Sequence, residues 1–173
     1  MSVLIAYATS RGSTGEIANR IASRLETFIK PVTCLPVSEV QPGSLPSYSV
    51  IVVASAIHAG SWINPGHCFV RTNKAVLQSK PVWAFSVGMP PTDEEHAAEE
   101  KAVAASLRKD LPDLRGHTLF QGAFFKEDMP WWMGMFIRFI PKERQKWGDA
   151  RNWEEIEGWA DKLRNEVKAL NKS

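Results

Sequence analysis

Hydroxyl side chains are concentrated in one short segment near the start of the chain. Residues 9–14 read Thr-Ser-Arg-Gly-Ser-Thr, directly after an apolar run and directly before a helical pattern. Gly12 lets the backbone curl so that N–H groups point inward, and a following helix adds the positive end of its dipole. This combination predicts a phosphate-binding loop, with a simple helix cap as the alternative. The segment is neither a Walker loop, which needs Gly-Lys-Ser/Thr, nor a GxGxxG dinucleotide fingerprint.

Five apolar segments predict the strands that must position this loop. They are short, mostly rich in β-branched residues, and lie at 3–8, 32–37, 50–54, 82–87 and 118–125. Helical periodicity occupies residues 15–30, 64–77, 92–111 and 153–170. Ser13 with Glu16, and Thr92 with Glu95, have the spacing of capping boxes. Alternating strands and helices predict an α/β fold, a parallel sheet with helices on both faces, in one domain over residues 1–173.

Three loops follow strands of this predicted sheet at their carboxyl ends. The first is the hydroxyl-rich segment, the second spans residues 55–62, and the third spans residues 86–90. Open α/β sheets bind ligands at the carboxyl edge, where the winding direction reverses. We therefore expect these three loops to form one site.

Several segments together resemble the flavodoxin-like FMN-binding family. Residues 7–18, Tyr-Ala-Thr-Ser-Arg-Gly-Ser-Thr-Gly-Glu-Ile-Ala, are similar to the FMN phosphate loop of that family. The likeness is greater to the branch containing menaquinone-dependent protoporphyrinogen oxidase, and further matching stretches lie at 55–60, 85–87 and 148–153. The resemblance implies a flavodoxin-like, doubly wound sheet of five parallel strands in the order 2-1-3-4-5, with FMN as the cofactor.

The resemblance also implies which residues bind the cofactor. Hydroxyls and backbone N–H groups of the first loop would hold the FMN phosphate: Thr9, Ser10, Gly12, Ser13 and Thr14. Arg11 either neutralises the phosphate or points into water. The flavin ring would lie against the second loop, at Ala56, Ile57, His58, Ala59, Gly60 and Trp62. The third loop would approach the ring from the other side with Ser86, Val87 and Gly88.

The ring-binding loops depart from the pattern of flavodoxin electron carriers, which usually enclose the ring between aromatic side chains. Residues 88–91 read Gly-Met-Pro-Pro, and position 59 is Ala. This departure predicts a flavin that is open to a substrate on one face. Trp62 is either the single stacking partner or a tryptophan that covers the next helix. His58 is either a group that assists proton transfer or an ordinary polar loop residue, and no other catalytic residue is assigned.

These features predict an FMN-dependent oxidoreductase. It would transfer two electrons between an apolar or aromatic substrate, either protoporphyrinogen-like or a quinone, and a quinone or oxygen acceptor. A flavodoxin-type electron-transfer protein without its own substrate is the alternative. The net charge of +2 disfavours that carrier, because such carriers are typically acidic. The mild charge also argues against a nucleic-acid partner, while the sequence leaves a homodimer open.

An aromatic and basic segment at about residues 126–150 resembles an insertion into this fold. It contains Trp131, Trp132, Phe136 and Phe139, and its cations Arg138, Lys142, Arg144 and Lys146 outnumber Glu143. Tryptophans and cations together are typical of a membrane interface or of a cover over an apolar ligand. A short helix that completes the core is the alternative.

Cys34 and Cys68 lie far apart in the sequence, with no CxxC pattern and no histidines at ligand spacing. This pattern predicts neither a disulfide nor a metal site and fits a reducing compartment. Cys68 is expected to be a small buried residue of its helix. No apolar run is long enough to span a bilayer, so we expect a cytoplasmic protein, with peripheral membrane contact through the aromatic segment as a further option.

Overall fold

A computed structural model describes residues 1–125 and 148–170. The strands are β1 Val3–Ala8, β2 Val32–Pro36, β3 Val50–His58, β4 Ser61–Trp62, β5 Val82–Gly88, β6 Gly116–Gln121, β7 Ala123–Phe124 and β8 Gly148–Asp149. The helices are α1 Ser13–Glu26, α2 Asn64–Thr72, α3 Lys74–Gln78, α4 Asp93–Arg108 and α5 Trp153–Leu170, with a 3-10 helix at Pro42–Ser47. The predicted alternation of strands and helices is confirmed.

Within the described residues the main sheet has five parallel strands in the order β2-β1-β3-β5-β6. This is the predicted order 2-1-3-4-5, with two-residue β4 added antiparallel to the end of β3. A separate ribbon pairs β7 with β8. From β1 the sheet continues to β2 on one side and to β3 and β5 on the other. The winding direction therefore reverses between β1 and β3. The ligand crevice is therefore expected at their carboxyl ends.

The sheet separates two apolar cores, since successive residues of a strand point to opposite faces. Ile5, Val52 and Phe85 pack on one face with α1 and α5. Leu4, Ile51 and Ala84 pack on the other face with α2, α3 and α4. Both faces of the central strands are thus covered, which explains their nearly continuous apolar sequences.

Helix α1 differs from its prediction at both ends. The Ser13–Glu16 capping box does not form, because Gly12 occupies the N-cap position and no side chain caps the helix. Ser13 Oγ instead accepts a hydrogen bond of 3.1 Å from the N–H of Ala123. At the other end, Thr27 Oγ1 donates to the carbonyl of Arg24 at 2.7 Å, and the helix ends at Glu26 rather than near residue 30. The second cap is confirmed, because Thr92 Oγ1 accepts from the N–H of Glu95 at 3.1 Å.

Two other local predictions are wrong. Cys68 lies on the exposed side of α2 rather than in the core. Residues 55–62 form a β-hairpin rather than a loop, since β3 continues to His58 and the chain returns through β4. Ala59 and Gly60 make the turn, both with positive φ (49° and 75°), as tight hairpin turns require.

Residues 126–147 lie outside the described part of the chain, so the prediction of membrane contact through Trp131, Trp132, Phe136 and Phe139 stays a prediction. Among the described helices, none combines the length and the hydropathy that crossing a membrane requires.

Candidate cofactor site

A cavity of about 370 Å³ opens at the carboxyl edge of the sheet, where the predicted crevice lies. It joins four chain segments: the hydroxyl loop (residues 9–14), the hairpin (residues 55–62), the end of β5 with the β5 loop (residues 88–91), and residues 122–124 after β6. Most of the sequence-predicted site residues line it, namely Thr9, Ser10, Arg11, Ser13, Thr14, Ala56, Ile57, His58, Ala59, Val87 and Gly88.

The hydroxyl loop is shaped by its own first residue. Thr9 Oγ1 accepts the N–H of Gly12 at 2.9 Å, and Gly12 has a φ of +93°, which strongly favours glycine. This turn starts α1 at Ser13 with its N-terminus beside the cavity. Thr14 is 1% exposed and still lines the cavity. Gly15 lets α1 approach β1, because a Cβ there would lie 2.9 Å from the Tyr7 ring.

A cluster of three charged residues fixes the ribbon strand β8 to the first turn of α1. The Arg151 guanidinium donates to both carboxylate oxygens of Asp149, at 2.8 and 2.6 Å, and also bonds the Glu16 carboxylate. It stacks on the Trp153 ring at 4.7 Å, and its side chain is only 10% exposed. The hydrogen bond from Arg151 lowers the pKa of Asp149, and the bonds to Asp149 and Glu16 raise that of Arg151. Glu16 is thus neutralised by a partner at the helix end where an anion would bind.

Trp62 and Ser86, which the sequence assigned to the cofactor site, do not line the cavity. Trp62 is 4% exposed and Ser86 is fully buried. Trp62 Nε1 donates to Ser86 Oγ at 2.7 Å, and Ser86 Oγ lies 2.7 Å from His117 Nε2. The hairpin returns the indole into the core beside α2, so the indole packs in the core and does not line the cavity.

His117 is the third member of this buried chain and was assigned no role from the sequence. An indole N–H only donates, so Ser86 Oγ accepts from Trp62 and keeps one proton and one lone pair for its contact with His117 Nε2. The other ring nitrogen of His117, Nδ1, is buried without a hydrogen-bond partner among the described residues. Burial lowers the pKa of His117 to about 4, with a smaller effect from Arg108. The imidazole is therefore neutral over most of the physiological range.

Two of the three glycines among the predicted residues, Gly12 and Gly60, act through the backbone and do not line the cavity. Gly12 forms the N-cap of α1 and does not itself line the cavity. Gly60 completes the hairpin turn and lines an adjoining cleft instead. His58 lines the cavity with an exposed side chain.

Four lining residues were missed as site residues: Met89, Gly122, Ala123 and Phe124. Phe124 stacks under Arg11, with the guanidinium carbon 4.9 Å from the ring centroid. Arg11 therefore does not simply point into water, since it packs on an aromatic wall of the cavity. The sequence placed Gly122 to Phe124 inside a strand predicted over 118–125, whereas the fifth parallel strand ends at Gln121 and these residues follow its carboxyl end, where ligands bind.

The two ends of the cavity differ in chemistry. Hydroxyls, a helix N-terminus and Arg11 lie at one end, whereas Ile57, Val87, Met89 and Phe124 supply apolar surface elsewhere. No carboxylate occurs among the described lining residues. The arrangement fits a molecule that carries a phosphate dianion at one end and a flat apolar ring at the other. In the described part of the chain, no group of acidic, histidine or cysteine side chains could hold a metal ion.

Comparison with known proteins agrees with this geometry. The family model described as "Flavodoxin domain" matches residues 4–150. No match was found among curated proteins.

Solved structures with a similar fold were also found. An archaeal flavodoxin is 17% identical, with a TM-score of 0.61, and the match covers 97% of this chain and 99% of that one. Flavodoxin 2 of Bacillus cereus is 18% identical, with a TM-score of 0.61 and coverages of 93% and 96%. Rubredoxin oxygen:oxidoreductase of Desulfovibrio gigas is 14% identical with a TM-score of 0.67; the match covers 99% of this chain but only 37% of that protein.

Proposed function

The chain belongs to the flavodoxin domain family, whose domains bind FMN and transfer electrons, and on that premise we propose that it is an FMN-dependent oxidoreductase with a substrate of its own. The proposed reaction moves two electrons between an apolar or aromatic substrate and a quinone or oxygen acceptor. The substrate class includes quinones and protoporphyrinogen-like molecules.

The hydroxyl loop supports the cofactor assignment. Thr9, Ser10, Ser13 and Thr14 would hold the phosphate through hydroxyls and backbone N–H groups, assisted by the N-terminus of α1. Arg11 would add a positive charge while its guanidinium stays on the Phe124 ring. Arg151 contributes indirectly, because it neutralises the Glu16 carboxylate close to the loop.

The hairpin and the β5 loop would orient the ring. Ile57 and Ala59 on one side and Val87 and Met89 on the other offer apolar surface, which excludes water from the ring edges. When bound, FMN supplies one- or two-electron redox chemistry, which the protein tunes through position and electrostatics. His58 stays a candidate for proton exchange with solvent, because it is exposed and lines the cavity.

The observation that carries the enzyme proposal is the composition of the ring-side walls. Neither the hairpin turn nor the β5 loop lines the cavity with an aromatic side chain, and Trp62 is buried in the core. Walls built from Ala59, Gly88 and Met89 leave room beside a bound ring, which favours access by a second apolar molecule. A carrier that only passes electrons to a protein partner has no need of that room.

The experiment that tests the proposal starts with an absorption spectrum of the purified protein, before and after FMN is added. We expect flavin bands, and quenching of FMN fluorescence on titration. The FMN-loaded, chemically reduced protein is then mixed anaerobically with a quinone, and rapid reoxidation with saturation in quinone concentration is expected. Reoxidation that is slow and strictly proportional to quinone concentration would contradict a built substrate site.

Family membership itself favours a second candidate, the flavodoxin-type carrier without its own substrate. The discriminating measurement is stepwise chemical reduction. A carrier is expected to accumulate a one-electron reduced form, whereas the proposed enzyme is expected to bleach directly in a two-electron step.

A further inference from the structure

A second cleft of about 360 Å³ adjoins the ring end of the cofactor cavity. It lies between the hairpin, the β5 loop and the first turns of α4. Ile57, Ala59, Gly88 and Met89 line both spaces, so the cleft and the cavity are separated only by these side chains and by backbone. A molecule in the cleft would therefore lie beside a ring in the cavity.

The hairpin and the β5 loop line the cleft with apolar side chains and backbone, and α4 lines it with two half-buried carboxyl groups, those of Glu95 and Glu99. Glu99 Oε2 approaches the end of β5 so closely that a Cβ on Gly88 would lie 3.4 Å from it. The absence of a side chain at Gly88 thus makes room for this carboxyl at the strand end. Within the described residues, the Glu99 carboxyl has neither a hydrogen bond nor an ion pair with a protein group.

The surroundings of Glu99 make its carboxyl harder to ionise than that of an exposed glutamate. Burial raises the pKa of the carboxyl, the nearby His96 opposes this shift, and Glu95 adds to it. The next residue, Glu100, is already engaged, since its carboxylate accepts the N–H of Leu119 at 3.2 Å. The hairpin and the β5 loop present only Ile57, Ala59, Gly60 and residues 88–91 to the cleft, none of which titrates. On β6, Leu119 approaches the same Gly88 position and Gln121 pairs with it in register, and both are neutral.

A neutral carboxyl differs from a carboxylate in one useful respect, because it can donate a hydrogen bond. No described lysine or arginine lines the cleft, so an anionic ligand would find no counter-charge there. The walls thus favour a flat, uncharged molecule that carries an acceptor oxygen on its edge.

We propose that this cleft is the substrate subsite and that Glu99 donates a hydrogen bond to a carbonyl oxygen of a quinone-like ligand bound there. This inference rests on the proposed function, because it assigns the substrate class and the polar contact of the same site. Glu99 positions the ligand beside the cofactor cavity, and the apolar walls supply most of the contact area.

The experiment is calorimetric titration of the FMN-loaded, oxidised protein with oxidised menadione, from pH 4.5, the ordinary pKa of a glutamate, to about pH 8. No electrons move, so the measurement reports binding alone. We expect wild-type affinity to fall roughly tenfold as the pH rises, because the ionised carboxylate loses the donated hydrogen bond and faces the carbonyl oxygen. Glu99→Gln keeps a donor that does not titrate, so its affinity should stay near the low-pH wild-type value at every pH. Glu94→Gln, an exposed neighbour on α4 outside the cleft, should keep the wild-type profile.

Three results would overturn the inference: no menadione binding to the wild type, an affinity that rises with pH, or a wild-type pH profile in Glu99→Gln. Melting temperatures of all variants show whether each is folded. The proposed function fails separately, through absent flavin binding or through unsaturable reoxidation by quinone. If those two tests succeed while Glu99→Gln behaves as wild type, only the assignment of the subsite is lost.

Discussion

A different kind of side-chain cluster lies next to each end of the cofactor cavity, one ionic and one neutral. Behind the phosphate end, Glu16, Asp149 and Arg151 form an ionic support whose carboxylates are largely exposed, at 62% for Glu16 and 39% for Asp149. Behind the ring end, Trp62, Ser86 and His117 form a neutral support that is mostly buried and linked by two bonds of 2.7 Å. The first support therefore acts in solvent, and the second acts in the core.

This difference predicts different sensitivities. Charges near solvent are screened by salt and contribute little stability each, but they set the electrostatic potential where an anion binds. The strength of a buried neutral chain of hydrogen bonds does not depend on salt. A change that puts a charge on one member, however, lowers the free energy of unfolding substantially. The phosphate end should respond to charge and ionic strength, and the ring end should respond to pH and packing.

The largest expected effect is the pH dependence of stability that His117 causes. Its pKa falls from 6.5 to about 4 on folding, so below pH 6.5 the unfolded chain binds a proton that the folded chain rejects. The free energy of unfolding is therefore unaffected by the protonation of His117 above about pH 6.5. It decreases as the pH falls toward 4, by up to about 3 kcal/mol in total. Urea unfolding of the wild type and of His117→Gln should show a shallower acid loss in the variant. The same slope in both would contradict this account, and His58→Gln, at an exposed position, should match the wild type.

Removal of the Thr14 hydroxyl is expected to have the next largest effect. Thr14→Val preserves the shape of the side chain but removes a polar group that lines the phosphate end. FMN affinity should fall by about 1–3 kcal/mol, roughly fivefold to 150-fold, whereas riboflavin, which lacks the phosphate, should bind as before. Fluorescence titration measures both. Ser23→Ala, at an exposed position of α1, is the matched control. An equal loss of affinity for FMN and for riboflavin would contradict the assignment of Thr14 to the phosphate.

The variant Trp62→Phe tests whether Trp62 stabilises the core without contacting the bound cofactor. The change removes the indole donor to Ser86 and part of a buried ring, so the free energy of unfolding should fall by about 1–3 kcal/mol. FMN affinity should stay within about twofold of the wild type, because Trp62 does not line the cavity.

Trp83→Phe is the control for that variant. Trp83 is also buried and also donates from Nε1, to Glu166 at 2.8 Å, at the other end of β5. Both variants should lose stability and keep FMN affinity. Loss of FMN binding in Trp62→Phe alone would restore the stacking role that the sequence suggested.

The smallest effect concerns the ionic support. Arg151→Met leaves the Glu16 carboxylate unneutralised beside the hydroxyl loop, so FMN affinity should drop several-fold, about 1 kcal/mol, at low salt. Added salt should reduce the difference, since these charges are partly exposed. The double variant Arg151→Met with Glu16→Gln should recover most of the affinity. A defect that persists in the double variant and ignores salt would mean that Arg151 acts through packing on Trp153 instead.

Much of the fold was predictable because it depends on local pattern. The apolar run of residues 3–8, the cap at Thr92 and the buried positions Ile156, Ala160 and Leu163 of α5 each follow from spacing along a few residues. The hairpin at residues 55–62 was less visible, because its turn, Ala59-Gly60, lacks the usual Asn-Gly or Asp-Gly signal.

The sequence alone determined the five parallel strands, the helices that alternate with them and the hydroxyl loop, since strand alternation, Gly12 and a following helix are local properties. Only the tertiary structure decided which neighbouring side chains reach the cavity and which turn into the core. Strand pairing places Ser86 on the face of the sheet where it contacts Trp62 and His117. It also places Gly122 to Phe124, which follow the fifth parallel strand, in the wall of the cavity. It also sets Glu99 against Gly88 across 11 positions of the chain. Such contacts depend on packing between distant segments, which no local pattern encodes.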